Sequence, residues 1–364
     1  MQPFSRANVT NVKMRMYGLD VLRACFALLV FMFHSRIHMG CSYGWLNSFV
    51  NMGAIAMTGF FLLSGFVLYS TSGQLNPTSI VDLAKFYKKR LIAIYPTFLF
   101  VSIIAIFWSI LANPSIQHCV KHIVQLPVLL LGISTVFTSL FKFPPNGGFW
   151  FVSCLFFCYA LFPWFSSLTT KMGKRGCSLI CGLSSFVLLY SPLVVKVHGL
   201  ASIYSNPFFR LLEFLIGVTL ARLSICENLD RVRRQTFIAL DIVLLVVGVS
   251  LLNKFGIATT NYMLYNWVAL PCFGVLMALL GSNMPLHVRG GGVIVYISNL
   301  SYAFFLGQFF CFRIVKIAAR QFPDLAGNNV MKMSVSFLVC LAISVLLYEF
   351  VQKPCRRWLM ELQK

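Results

Sequence analysis

Ten stretches of about 20 apolar residues, separated by short polar segments, run the length of this chain. One such stretch is what a helix needs to cross the hydrocarbon core of a bilayer. The stretches lie near 20–38, 49–70, 91–112, 149–168, 178–196, 207–222, 236–252, 261–281, 292–316 and 333–352. Backbone polar groups in lipid must be satisfied within the structure, and at this segment length the helix is the solution that does so. The first stretch is too long and begins too late to read as a cleavable signal. The expected fold is therefore all-α, a polytopic transmembrane helical bundle of about ten spans. Only 11% of residues are charged, against roughly a quarter in soluble domains, which excludes soluble and disordered classes.

The net charge of +21 would point to nucleic acid in a soluble protein. In a membrane chain, Lys and Arg instead collect on the cytoplasmic side. With ten spans and a cytoplasmic N-terminus, nineteen of the thirty basic residues fall on inner segments and eight on outer ones, with Arg23, Arg210 and Arg313 inside spans. A further apolar segment, 123–141, is flanked by Lys121, His122 and Lys142. Counting it as an eleventh span would carry Arg231, Arg233 and Arg234 outside, so it reads as a re-entrant or surface piece. Both ends are then cytoplasmic: residues 1–19 and the tail 353–364 flank a single membrane domain covering 1–364. Anionic lipid head groups account for the basic excess, and no nucleic-acid partner is expected. The longest loop is 113–148, and no internal repeat stands out, so chemistry belongs in the bundle or at its mouths. Of twelve Cys, many sit in apolar runs as small hydrophobes (Cys154, Cys158, Cys272, Cys340). Cys41 and Cys119 are the one pair worth testing for a disulfide.

Ionisable residues within spans are costly and tend to mark function. The first span carries Asp20, Arg23, His34 and His38. Eleven residues of helix return to nearly the same face about 16 Å further on, so Arg23 and His34 share a stripe. Asp20 and Arg23 stand at i,i+3 and can pair. The guanidinium can hold an anionic group, and the imidazole can serve as base or nucleophile near neutral pH. His34 and His38 have the i,i+4 spacing of a zinc pair, but no third ligand stands nearby and no metal is expected. Gly59 to Phe66, with Ser64 and Gly65, reads as small-residue helix packing or as a backbone site for a ligand. Lys88, Lys89 and Arg90 precede Tyr95-Pro96 at an inner mouth, as positive-inside anchors or as a cradle for a phosphorylated cofactor. Arg210 and Glu213 stand at i,i+3 as an intramembrane pair. Ser301, Tyr302 and Gln308 supply polar groups to the ninth span.

On these motifs the chain resembles the acyltransferase family 3 of integral membrane acyltransferases, bacterial enzymes that decorate cell-surface glycans. The resemblance covers nearly the whole chain. Its most specific part is Gly18-Leu-Asp20-Val-Leu-Arg23 through His34, similar to the family's Arg-x10-His signature. Gly59 to Phe66, Lys88-Lys89-Arg90 leading to Pro96, and Asn206-Pro207 through Arg210 and Glu213 follow in the family's order. Ser301-Tyr302 and Tyr348-Glu349 to Lys353-Pro354 complete it. Ala93 stands where the family often has a second Arg, Gln308 where a His commonly follows Ser-Tyr, and Gln352 where Glu often precedes Lys-Pro.

The resemblance implies a ten-span enzyme of the bacterial inner membrane. It would move an acyl group, commonly acetyl from acetyl-CoA, to a hydroxyl of a surface polysaccharide or lipid-linked saccharide. His34 matches the family's histidine and Arg23 its partner. Lys88, Lys89 and Arg90 would meet the phosphates of acyl-CoA, while Asp20, Ser64, Arg210, Glu213, Ser301 and Tyr302 would form the polar network around the site. The chain is expected to lack the extracytoplasmic domain some relatives carry, and so to complete transfer in its own bundle or with a partner. By physics alone, buried charges in a ten-span bundle also fit a transporter or flippase for a sugar or lipid-linked glycan.

Overall fold

The computed structural model describes residues 15–72, 75–135, 147–198, 201–223, 229–255, 262–281 and 291–361. Most of the N-terminal segment (1–14), Lys142 and Arg289 lie outside the described residues. Helix α1 (Tyr17–Met39) ends on Gly40, whose φ of +66° and backbone N–H bonds to Arg36 O and Ser35 O make a left-handed cap. The next apolar stretch is not one helix from residue 49. Two 3-10 turns (Gly44–Leu46 and Gly53–Ile55) bracket α2 (Asn47–Val50) before α3 (Ala56–Ser72). The break follows from close packing: a Cβ on Gly53 would meet Phe33 Cβ at 2.6 Å and Leu29 O at 2.9 Å.

Ser79 caps α4 (Ile80–Ala112) by accepting from the Asp82 N–H. At 33 residues this helix is about 50 Å long, longer than a hydrocarbon core of about 30 Å, and Lys85 to Arg90 stand on its early turns. Ser115 likewise caps α5 (Ile116–Leu130). This corrects the reading of 123–141 as one apolar unit flanked by Lys121 and His122. The capped helix starts earlier, contains both residues, and ends at Leu130. It is two-faced, with His118 and His122 turned inward and Ile116, Val120, Ile123 and Val124 exposed. Residues 136–141 lie outside the described residues.

Helix α6 (Phe149–His198) carries two of the apolar stretches across a kink at Gly173, whose φ is +65°. Then come α7 (Pro207–Leu223), α8 (Arg231–Lys254), α9 (Asn266–Leu280), α10 (Gly291–Gln321), α11 (Pro323–Gly327) and α12 (Asn329–Leu346). A π-helical segment, Leu347–Gln352, leads from α12 into α13 (Lys353–Glu361). Among the described residues there is no strand. Among the described residues, seven helical segments are long and apolar enough to cross a membrane. The number is smaller than ten because the two helices of α6, which join at the non-helical Gly173, are counted together, while α7 and α9 have only 17 and 15 residues. Large apolar side chains such as Phe107, Phe186, Leu244 and Leu338 face outward, as they do where the solvent is lipid. Cys41 and Cys119 are both free thiols.

Helices α3 and α7 cross at Gly65 and Gly217. A Cβ on Gly65 would collide with the Phe214 carbonyl, and one on Gly217 with the Leu62 carbonyl. Because the obstacles are backbone atoms, neither can swing aside, and small residues are what lets the backbones meet. Gly217→Ala is expected to push the two helices apart and cost about 1–3 kcal/mol, the usual range for overpacking. A lowered unfolding midpoint in detergent checks this; an unchanged one contradicts it.

Helices α1, α4 and α10 run parallel. Tyr17 lies against Gly291, Arg23 reaches Ser298, Phe31 packs on Phe304, and His38 on Phe312. Tyr302 bonds the Ile94 carbonyl and Phe310 packs on Trp108. Residues early in the three helices therefore gather at one end of the bundle, and residues late in them gather at the other.

Candidate active site

At the early end, the Asp20 carboxylate is the hub. It accepts from Arg15 Nε at 2.8 Å and from Ser298 Oγ at 2.7 Å, while Arg23 Nη1 stands 3.9 Å away. Arg23 in turn donates to Ser298 Oγ at 3.3 Å. The i,i+3 pairing of Asp20 with Arg23 thus exists but is the longer contact; Arg15, just before the helix, is the tighter partner. Arg23 keeps about a third of its side chain exposed (31%), leaving donors for a further acceptor.

Tyr159 of α6 lies near Arg23, Arg90 and Ser64, so the bundle brings three of the expected residues to one locality. Arg90 donates from Nη2 to Ser72 Oγ at 3.2 Å and lies over the Phe86 ring. Its buried Nε has no hydrogen-bond partner. Lys88 and Lys89 are exposed on the adjoining turn. Ser301 and Tyr302 are committed to the scaffold: the Ser301 hydroxyl donates to Ser298 O at 2.6 Å, and the Tyr302 phenol ties α10 to the Ile94 carbonyl of α4 at 3.1 Å.

At the late end, a cavity of about 880 Å³ opens between α1, α4, α5 and α10. His34 lines it, with His38 stacked on it at a ring separation of 5.6 Å. Arg23 and His34 do not touch. The helix rise places them about 16 Å apart, Arg23 at Ser298 of α10 and His34 in the cavity that Gln308 of α10 also lines. Across the cavity, His118 and His122 of α5 meet Ser109 of α4, with Nε2 to Nε2 and each Nε2 to Oγ at 3.0 Å. Burial, then His118, then Lys121 hold the His122 imidazole below its ordinary pKa. Gln308 is 4% exposed, and neither its amide nitrogen nor its oxygen has a hydrogen-bond partner.

Behind the cavity wall lies the buried ion pair. Arg210 and Glu213 are each 1% exposed, with Arg210 Nη1 at 2.8 Å from both carboxylate oxygens. Thr58 Oγ1 lies 2.9 Å from Glu213 Oε1 and 3.1 Å from Asn266 Oδ1, and Arg210 Nε donates to Tyr204 O at 2.7 Å. The guanidinium is enclosed by the rings of Phe61, Trp150 and Tyr204. Trp150 and Tyr204 also line the cavity, so the pair holds one wall in place.

His118, His122 and Ser109 are the members of this site that sequence reasoning did not single out. The i,i+4 His pair was visible in the sequence, but only the capped start of α5 turns it inward. Among the described residues no group of three His, Cys, Asp or Glu is placed to hold a metal.

No curated protein matches the chain, and no solved structure does. A family model does: that of the acyltransferase domain, which matches residues 16–349. That range contains Asp20, Arg23, His34, Lys88 to Arg90, Arg210, Glu213 and the late-end cavity, so this membrane protein belongs to the acyltransferase family 3 and is an acyltransferase.

Proposed function

We propose that the chain is an O-acyltransferase of a bacterial inner membrane, a ten-span bundle with both termini in the cytoplasm. It moves an acyl group, acetyl in the simplest case, from acyl-CoA to a hydroxyl of a surface polysaccharide or lipid-linked glycan. The observation that carries the reading is the placement of His34: in an open cavity that α10 also lines, on the helix that bears Arg23.

The donor enters at the basic early end. Its phosphates meet Lys88, Lys89 and Arg90, whose unpartnered Nε suits an anionic oxygen, and Arg23 offers further donors. The flexible pantetheine arm leads the thioester along the α1–α10 seam toward His34. There the His34 imidazole takes the proton of the acceptor hydroxyl as its oxygen attacks the thioester carbonyl. The new C–O bond forms, the C–S bond breaks, and the proton passes from the imidazolium to the departing CoA thiolate.

Mass spectrometry of surface glycans from cells with and without the gene tests this. The expected result is one species heavier by a single acyl unit only where the gene is present. Identical glycans in both strains overturn the proposal.

A further inference from the structure

The late-end cavity has a charge pattern that acyl transfer to a neutral sugar does not require. Three fixed cations, Lys121, Arg313 and Lys316, line it together with the four imidazoles described above. Among the described residues, no Asp or Glu side chain lines it, and none of the three cations has an ion-pair partner. Arg313 rests on the face of Phe309 at 4.2 Å, which steadies a guanidinium without neutralising it. Lys121 and Lys316 are exposed and Arg313 is half-buried; water screens part of their repulsion, and the lack of a counter-charge leaves the cavity attractive to an anion. A dication is disfavoured for the same reason, although His118, His122 and Ser109 converge at 3.0 Å. Gln308 gives an independent indication. Its amide is buried and unpartnered, in the wall of the cavity that His34 also lines, and an unmet buried amide is costly. A bound polar group would supply both missing bonds.

We infer that this cavity is the acceptor site, and that the acceptor is an anion: a saccharide whose reactive hydroxyl lies close to a carboxylate or phosphate held by Lys121, Arg313 and Lys316. Gln308 orients the hydroxyl toward His34, donating from its NH2 to a ring or hydroxyl oxygen and accepting from a neighbouring O–H. The inference rests on the acyltransferase reading and adds the substrate class to it. Carboxylate and phosphate are one chemistry from two sources, an acidic sugar or a phosphate-linked sugar.

The first test uses the glycan spectrum itself. The acylated residue is expected to carry a carboxylate, or to be joined directly to a phosphate, and fragmentation shows which. An acyl unit on a neutral residue with no acidic group adjoining it overturns the inference while leaving O-acylation intact, whereas no acyl difference at all counts against the transferase instead.

The second test uses the full-length protein in membranes, with the glycan so identified as acceptor and labelled acetyl-CoA as donor. Lys316→Gln and Arg313→Gln are each expected to raise the acceptor KM about tenfold, the loss of one charge-assisted bond of roughly 1.4 kcal/mol. The KM for acetyl-CoA and kcat should hold, and Lys316→Arg should restore the acceptor KM. A rise in the acetyl-CoA KM instead, or no change in either KM, overturns the assignment of this cavity to an anionic acceptor.

Discussion

His34→Ala is expected to lower acyl transfer by about 10²–10⁴-fold, the range general-base catalysis supplies. The protein should still insert and fold, because His34 lines an open cavity and is only half-buried. Its nearest ring neighbours are Phe33 and His38, and it holds no hydrogen bond that the scaffold depends on. The measurement is transfer of label from acetyl-CoA to glycan in membranes holding equal amounts of wild-type and variant protein. Because the loss is in proton transfer, it should fall on kcat and leave the KM for acetyl-CoA in place. Full activity in His34→Ala would remove the histidine from the chemistry. His34→Gln serves as the companion variant: it keeps a polar group of similar reach but provides no base at neutral pH, and it should be as inactive as alanine.

The second large effect concerns Arg210 and Glu213. Glu213→Ala leaves a guanidinium that is 1% exposed without its carboxylate, and breaking a buried pair in this way costs about 3–5 kcal/mol. The three rings around Arg210 offset part of that loss, since a desolvated cation–π contact contributes about 2 kcal/mol. The expected outcome is a sharply lower unfolding midpoint in detergent, with activity lost alongside it as Trp150 and Tyr204 shift at the cavity wall. Removing both charges with Arg210→Met and Glu213→Leu together should recover most of the stability, because no uncompensated charge remains. If the single variant is as stable as wild type, the pair is not a support of this wall. If the double variant is worse than either single one, the hydrogen bonds to Thr58 and Tyr204 outweigh the ion pair itself.

Much of this was legible in the sequence because lipid is a demanding solvent. The apolar stretches mark helices with few alternatives, and the eleven-residue step from Arg23 to His34 places both on one face whatever else surrounds them. Arg210 and Glu213 were readable as partners from their spacing alone. What the sequence hid depends on packing between distant segments. The tighter ion pair of Asp20 is with Arg15, two residues before the first turn of α1. The break before α3 depends on how closely Gly53 approaches α1. The inward face of α5 was masked because its polar start looked like a flank of an apolar run, when Ser115 makes it the first turn of a helix. Gln308 stood out as a polar group in a span and as a departure from a family pattern; its unmet amide in a cavity wall is a property of the assembled bundle.

The shared direction of α1, α4 and α10 gives the molecule a front and a back. Turning it over in the bilayer would exchange the two mouths, so that a donor supplied to one side would meet the late-end cavity in place of the Arg90 end. Reconstituted in mixed orientations, only the correctly facing molecules would work when donor is added to one side of sealed vesicles. Opening those vesicles should then reveal the silent remainder.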